Sequence, residues 1–500
     1  MSAATAEPHD RYRVTPTVLQ ALRSPRLLTR EVVAGLVTAL ALIPEAIAFS
    51  VVAGVDPRVG LFSSFVLAVV IAFTGGRPAM ITAAAGAVAL VIAPVAREHG
   101  PDYLIVTIAL AGLIQVLFAV LGVARLMRFI PRSVMVGFVN ALAILIFLSQ
   151  VPQLIDVPWP VYVLVAAGLG VLLVWPRITR AIPAPLVAIV LLTAAVVAFG
   201  ISVPDVADQG ELPRSLPELL IPHVPLTWQT LQIVAPFAFA AALVGLLESL
   251  MTAKLVDDLT DTHSRKTREA WGLGVANVVS AFFGGTGGCA MIGQTMINVK
   301  TSGGRTRIST LFAGVWVLVL VVALGDIVGL IPMAALVAVM IVVSAMTFDW
   351  HSIRPATLRR MPLSETAVML VTVVATVWTH NLAVGVVLGV LAAMVLFARR
   401  VAHFTTVTRT LDGATARYRV DGQLFFASSN DLTTQFEYAS DPPHVVIDLS
   451  RTHVWDASTV AALDAIVTKY AQRGTTVELE GMTDAAAAFH RRLSGELGSA

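Results

Sequence analysis

Fourteen apolar runs, separated by short polar links, constrain this chain more than any other feature. They fall at about 32–53, 60–74, 79–96, 103–122, 130–150, 160–175, 184–201, 231–253, 270–283, 289–299, 307–325, 330–348, 364–379 and 382–398. Several are too short to cross a bilayer as unaided helix, since a span needs about 20 apolar residues. The chain as a whole is 57% hydrophobic and 13% charged, whereas soluble domains carry about a quarter charged residues. The expectation is a polytopic α-helical membrane protein. A net charge of +2, with Lys and Arg scattered over loops, gives no nucleic-acid-binding patch. The single cysteine, Cys289, allows no internal disulfide and no paired-cysteine metal site. The segment 1–30 is polar without an apolar core, so it does not read as a cleavable signal.

Basic residues order the runs. Cytoplasmic loops are enriched in Lys and Arg. Arg23, Arg26 and Arg30 precede the first run, Arg125, Arg128 and Arg132 follow the fourth, and Arg177 and Arg180 follow the sixth. The alternation continues with Arg265, Lys266 and Arg268, then Lys300, Arg305 and Arg307, then Arg354, Arg359 and Arg360, and ends at Arg399 and Arg400. This predicts a cell-membrane protein, inner or plasma membrane, with both termini cytoplasmic. It also divides the chain into a cytoplasmic segment 1–30, a transmembrane domain 31–400 and a cytoplasmic domain 401–500.

Two glycine-rich breaks sharpen the reading. Residues 75–81 are GGRPAMI and residues 284–294 are GGTGGCAMIGQ, so a glycine pair leading to Ala-Met-Ile occurs twice. Each opens the third run of a set of seven. An odd number of crossings inverts the second set relative to the first, and broken helices at matching places in two inverted repeats point to a transporter's central site. Close helix packing through small residues is the plainer explanation of the glycines.

A helix that starts inside the membrane presents unpaired N–H groups and the positive end of its dipole. Two such ends facing one another would bind an anion. The sequence places the donors at Thr82, Ala83, Ala84 and Ala85 in the first break and at Ala290, Met291, Ile292 and Gly293 in the second. Gly86 and Gly293 would let a ligand approach the backbone. Neither start carries a cationic side chain. The Thr82 hydroxyl and Gln294 amide could add donors, although Thr82 could equally cap its helix.

Glu45 in ALIPEAIAFS and Glu248 in LVGLLESLMTAK lie deep in apolar runs, where ionisable groups are costly and usually functional. Thr252 is one turn beyond Glu248. A carboxylate taken out of water favours its protonated form, and a bound anion favours that form further. Glu45 and Glu248 are therefore the candidate coupling residues for proton–anion symport. A structural brace is the alternative for each.

Past residue 402 the patterning changes to alternating strand and helix: a small α/β domain with no phosphate loop and no catalytic cluster. Asp456 ahead of Ala457-Ser458-Thr459 reads as a helix N-cap. No enzyme constellation and no cofactor motif occurs along the chain.

Three stretches carry a family resemblance. GLVTALALIPEAIAFSVVAGVDPRVGLFSSF, NVVSAFFGGTGGCAMIGQTMINVKTSGGRTR and VVIDLSRTHVWDAST resemble the sulfate permease family of anion transporters with a C-terminal STAS domain, over about residues 25–495. The resemblance implies fourteen transmembrane segments as a seven-plus-seven inverted repeat, a core domain moving against a gate domain, an anion site between the third and tenth helices, and a homodimer. It puts the family's first-span glutamine on Glu45, its aromatic on Phe49 and its eighth-span acid on Glu248. Sodium-coupled bicarbonate members use that acid with a threonine one turn on, here Thr252, which marks a possible sodium site. A third-span threonine of that site falls on Ala85. The tenth-helix Ser-Arg of many relatives falls on Gly293 and Gln294, and the serine phosphorylated in bacterial anti-sigma antagonists on Ala457.

The expected function is secondary transport of a small anion such as bicarbonate, sulfate or a dicarboxylate, coupled to protons. A sodium-coupled bicarbonate symporter, a passive anion channel and a proton-coupled nucleobase carrier are the alternatives.

Overall fold

In the computed structural model the described residues are 16–125, 130–179, 182–210, 216–225, 227–402 and 405–494. Arg128, Arg180 and the start of the N-terminal segment lie outside them. The chain divides into two compact units at Val390/Leu391.

The first unit is helical. A short α1 (Val18–Arg23) is closed by a Thr17/Gln20 capping box and leads into α2 (Pro25–Ala53). This helix begins seven residues before the apolar run at 32, because Pro25 at its first position presets the helical φ and forfeits only an amide that would lack a partner anyway. It ends at Gly54, whose φ of 77° is the left-handed conformation that closes helices at least cost. There follow α3 (Pro57–Thr74), strand β1 (Thr82–Ala83), α4 (Gly86–His99), α5 (Pro101–Val120), α6 (Arg132–Gln150), α7 (Trp159–Ile178) and α8 (Ala184–Phe199). The second set is α9 (Trp228–Thr260), α10 (Lys266–Phe282), β2 (Cys289–Ala290), α11 (Ile292–Met296) continued by a π-turn over 297–301, α12 (Arg307–Gly329), α13 (Met333–Thr347), the short link α14 (Pro355–Arg360), α15 (Leu363–Thr379) and α16 (Leu382–Ala402).

Each apolar run of the sequence thus coincides with a helix or half-helix. Among the described residues eight helices are long and apolar enough to cross a membrane by themselves, while α8, α13 and α15 are shorter. The 14 residues of α4 reach only about 21 Å at 1.5 Å per residue, well short of a ~30 Å hydrocarbon core.

The packing partners repeat between the halves. Helix α2 lies against α12 as α9 lies against α5, and α3 against α12 as α10 against α5. Likewise α4 meets α9 as α11 meets α2, and α6 meets α15 as α13 meets α7. Exchanging the first seven elements for the last seven preserves these neighbours, as an internal two-fold repeat requires. The contacts group α2–α5 with α9–α12, and α6–α8 with α13 and α15. Small residues allow the tightest crossing: a Cβ on Gly112 would come 2.6 Å from the Gly274 carbonyl oxygen, and one on Gly274 would meet Gly112 equally closely.

The second unit contains a four-stranded sheet of β3 (Thr406–Asp412), β4 (Thr415–Leu424), β5 (His444–Val454) and β6 (Thr476–Glu480), in that spatial order. The β3–β4 pair is an antiparallel hairpin and the remaining pairs are parallel. Helices α17 (Phe426–Leu432) and α18 (Ala457–Ala471) supply the two crossovers that parallel pairing demands, and α19 (Asp484–Leu493) follows the last strand. Its core gathers Tyr418, Ile447, Leu463, Ile466 and Tyr470. The Asp441 carboxylate accepts from Arg409, Tyr418 and Tyr470, so the two buried phenols keep partners.

Candidate functional site

The two glycine-rich breaks meet in space. Thr82 pairs with Ala290 and Ala83 with Cys289 in a two-residue antiparallel ladder. The Met291 amide donates to the Ile81 carbonyl at 2.9 Å. The chain leaves this ladder in opposite directions as α4 and α11, so the N-terminal ends of the two half-helices face one another across it. All of these residues except Ile292 and Gly293 are buried.

This crossing corrects the donor assignment made from sequence. Amides at Ala84, Ala290 and Met291 are already spent: Ala84 donates to Ser64 Oγ at 3.2 Å, Ala290 to Ser249 Oγ at 2.9 Å, and Met291 to Ile81. Thr82 lies in the strand and caps nothing; its buried hydroxyl has no partner. Helix α4 has its N-cap at Ala85 and its first helical bond from Ala89 to Ala85, which leaves the amides of Gly86, Ala87 and Val88 without helical acceptors. For α11 the N-cap is Met291 and the first bond runs from Thr295 to Met291, leaving Ile292, Gly293 and Gln294. Neither end has a side-chain cap. The free donors therefore lie further along, at 86–88 in place of 82–85 in the first break and at 292–294 in place of 290–293 in the second. Hydropathy and glycine content could not have told a strand from the first turn, because both are short and apolar.

Helix α2 lays one turn across both ends. Phe49 packs on the start of α4, where a Cβ at Gly86 would come 2.6 Å from the ring's Cε1. One turn earlier the Glu45 carboxyl lies within hydrogen-bonding reach of the Gln294 side chain at the start of α11. Residues i and i+4 of a helix stand about 6 Å apart, so this turn brackets the gap between the two helix ends. Gly86 thus makes room for an aromatic ring and not, as the sequence suggested, for the ligand. Gly293 is the opposite case: it is exposed, and a Cβ there would meet nothing within 4 Å.

Glu248 and Thr252 sit on the other flank, against β2. Cys289 Sγ donates to Glu248 Oε2 at 2.9 Å. The Thr252 hydroxyl donates to the carbonyls of Glu248, at 2.8 Å, and Ala290, at 3.1 Å. Contacts within a single turn, through Glu248, Ser249 and Thr252, bind α9 to the second break.

The residues that brace the ladder were not legible in the sequence. Asn298 Nδ2 donates to the Ala79 carbonyl at 2.8 Å, Thr310 Oγ1 to Met80 at 3.0 Å, and Thr295 Oγ1 accepts from Ile81 at 3.0 Å. Ala79 itself has a φ of 61°, unusual for a residue with a Cβ. Two further buried carboxylates hold the adjoining loops. Glu269 accepts the amides of Gly76 and Arg77 at 2.6 and 2.8 Å, and Glu31 accepts those of Arg305 and Thr306 at 2.8 and 3.0 Å. A repeated polar residue near a helix end was the only available signal, and it is shared by many solvated positions.

Residues 28–161 and 153–372 match the sulfate permease family, and residues 406–493 match the STAS domain. The chain belongs to the sulfate permease family. It is 49% identical over 467 residues to the Bacillus subtilis protein named "Putative sulfate transporter YbaR", covering 93% of this chain and 97% of that one. It is 26% identical over 505 residues to the bicarbonate transporter BicA of a Picosynechococcus species, covering 88% and 86%. Among solved structures, murine Slc26a9, an anion transporter in the inward-facing state, superposes with a TM-score of 0.80 at 16% identity, covering 96% of this chain and 88% of that one. The transmembrane domain of a cyanobacterial BicA gives 0.64 at 23% identity, covering 74% and 98%. These structural likenesses establish the helical membrane fold, and the relatives named are transporters.

The STAS domain of this sulfate permease family member bears out the N-cap at Asp456, which accepts from Thr459 N at 3.0 Å and from Phe426 N at 2.6 Å. Ala457 and Ser458 are exposed, whereas Thr459 is buried against Ser429.

Proposed function

We propose that this protein is a secondary active transporter of a small inorganic or organic anion, with bicarbonate, sulfate and a dicarboxylate as the candidate substrates. The anion sits between the N-termini of α4 and α11. The single observation that carries this reading is the turn of α2 that touches Gly86 with Phe49 and Gln294 with Glu45. It brings two sets of uncapped amides, 86–88 and 292–294, to one small gap lined by no Lys, Arg or His from either start. Oriented amides and helix dipoles favour negative charge without a fixed counter-ion, so the site can release as well as bind. The exposed position of Gly293 supplies the open side.

Coupling is assigned to protons, through Glu45 beside the helix ends and Glu248 beside the ladder. A buried carboxylate that takes up a proton removes the repulsion felt by an incoming anion, so the two ligands favour each other by linkage. Sodium held at Glu248 and Thr252 is the competing coupling ion. The family resemblance further supports a homodimer in the cell membrane with cytoplasmic termini, and a STAS domain serving regulation or assembly. Uptake of labelled bicarbonate, sulfate and dicarboxylates into proteoliposomes, with imposed pH or sodium gradients, tests the reading. Accumulation of one anion driven by the pH gradient is expected. Accumulation driven by sodium alone would replace the proton, and carriage of uncharged nucleobases in place of all anions would overturn the assignment.

A further inference from the structure

A shallow, open pocket of about 490 Å³ lies away from the anion site, between the last turn of α5 and the first turns of α10. It is lined by Ala119, Val120, Arg265, Thr267, Arg268 and Trp271. We infer that this pocket takes an anionic glycerophospholipid of the phosphatidylglycerol type, with its phosphate at the exposed Arg265 and Arg268 rim and an acyl chain against the apolar lining and along α5.

The charge at its rim is uncompensated. No ion pair among the described residues involves Arg265, Lys266 or Arg268. The neighbouring carboxylates are engaged elsewhere: Glu269 turns away to the amides of Gly76 and Arg77, and Asp257 is taken by Arg77 and Ser264. Arg307 lies close to both Arg268 and Glu269, so the rim charge rests on Arg265 and Arg268. Arg268 is also held in place, because its Nε and Nη2 donate to the Thr74 and Phe73 carbonyls at 3.1 Å each. That anchoring lowers the entropy cost of presenting its remaining donors to a phosphate. The start of α10 has no side-chain cap, which leaves its first amides without helical acceptors, and Thr267 lines the pocket beside them.

The apolar half of the ligand has its own surface. Leu113, Leu117, Val120 and Leu121 are all more than half exposed and form one stripe up α5 from the cavity. At 1.5 Å per residue, residues 113–121 extend about 12 Å, a good part of one leaflet. Trp271, half-exposed beside the arginines, is the amphipathic ring found at the junction of head group and chain. Basic pockets between membrane helices at the side of the basic loops are where anionic head groups bind. A free phosphate would use the rim and leave the stripe bare.

The full-length chain, purified in mild detergent and stripped of lipid, should be incubated with phosphatidylglycerol or phosphatidylcholine, and bound lipid counted by native mass spectrometry. Phosphatidylglycerol is expected to be retained in preference to phosphatidylcholine. Arg265→Gln combined with Thr267→Val, which breaks no hydrogen bond that braces α3, should lower retention about five-fold. Arg399→Gln with Arg400→Gln, basic residues at another helix end, should leave it unchanged. Equal retention of the two lipids, or unaltered retention in the Arg265/Thr267 variant, overturns the inference. Displacement of bound lipid by millimolar glycerol 3-phosphate also overturns it, since that marks a phosphate site that does not use the acyl stripe.

Discussion

Adding one methyl group at either half-helix start should have opposite consequences. At Gly86 a Cβ would lie 2.6 Å from Phe49 Cε1, 3.1 Å from Cζ and 3.2 Å from Cδ1. Carbon atoms in contact prefer about 3.5–4.0 Å, so the ring must retreat by roughly 1 Å. Overpacking of this kind costs about 1–3 kcal/mol. If the retreat displaces the turn of α2 that spans the two helix ends, the apparent anion affinity of Gly86→Ala falls about five- to 150-fold, since 1.4 kcal/mol is a factor of ten. At Gly293 the same methyl meets nothing within 4 Å, and Gly293→Ala should bind like the parent. Phe49→Leu opens space at the ring edge, so the Gly86→Ala/Phe49→Leu pair should lose less than the sum of its single variants, a coupling that a double-mutant cycle reads directly. The assay is initial uptake against anion concentration in proteoliposomes, with thermal unfolding in detergent as a check on the fold. An unchanged KM and unchanged unfolding in Gly86→Ala would refute the packing of Phe49 on α4. Additive losses in the double variant would place the damage elsewhere.

Glu45→Gln keeps the shape of a protonated carboxyl. It should retain anion counterflow but lose accumulation driven by a pH gradient, and normal gradient-driven accumulation would move the coupling role to Glu248. Removing the thiol in Cys289→Ala leaves the Glu248 carboxyl without its donor, so uptake should fall, while Cys289→Ser should recover much of it; equal rates in the two variants would contradict a role for that hydrogen bond. Gly293→Leu fills the open side of the anion gap and should abolish uptake with the fold intact, and full transport would remove the anion from that position. Deleting residues 405–500 should alter rate or assembly yet leave substrate binding in the membrane unit, as judged by ligand-induced thermal stabilisation.

Hydropathy and glycine placement made much of the architecture legible. An apolar run is a local property, and a bilayer rewards it wherever it occurs in the chain, so the fourteen runs reappear as helices and half-helices. The matching breaks at 75–81 and 284–294 were equally readable, because glycine pairs interrupt helix for reasons internal to the backbone. Glu45, Glu248 and the STAS domain stood out by the cost of burying charge and by the change of period near residue 402. Tertiary structure alone decided which amides remain for a ligand. Those of Ala84, Ala290 and Met291 find acceptors on Ser64, Ser249 and Ile81, the last of them about two hundred residues away in the chain. No local pattern encodes such a partnership. The same holds for Phe49 on Gly86, Cys289 on Glu248, and Asn298 on Ala79: each is a contact between ordinary residues that acquires meaning only when two halves of the chain, alike in pattern, are folded across one another.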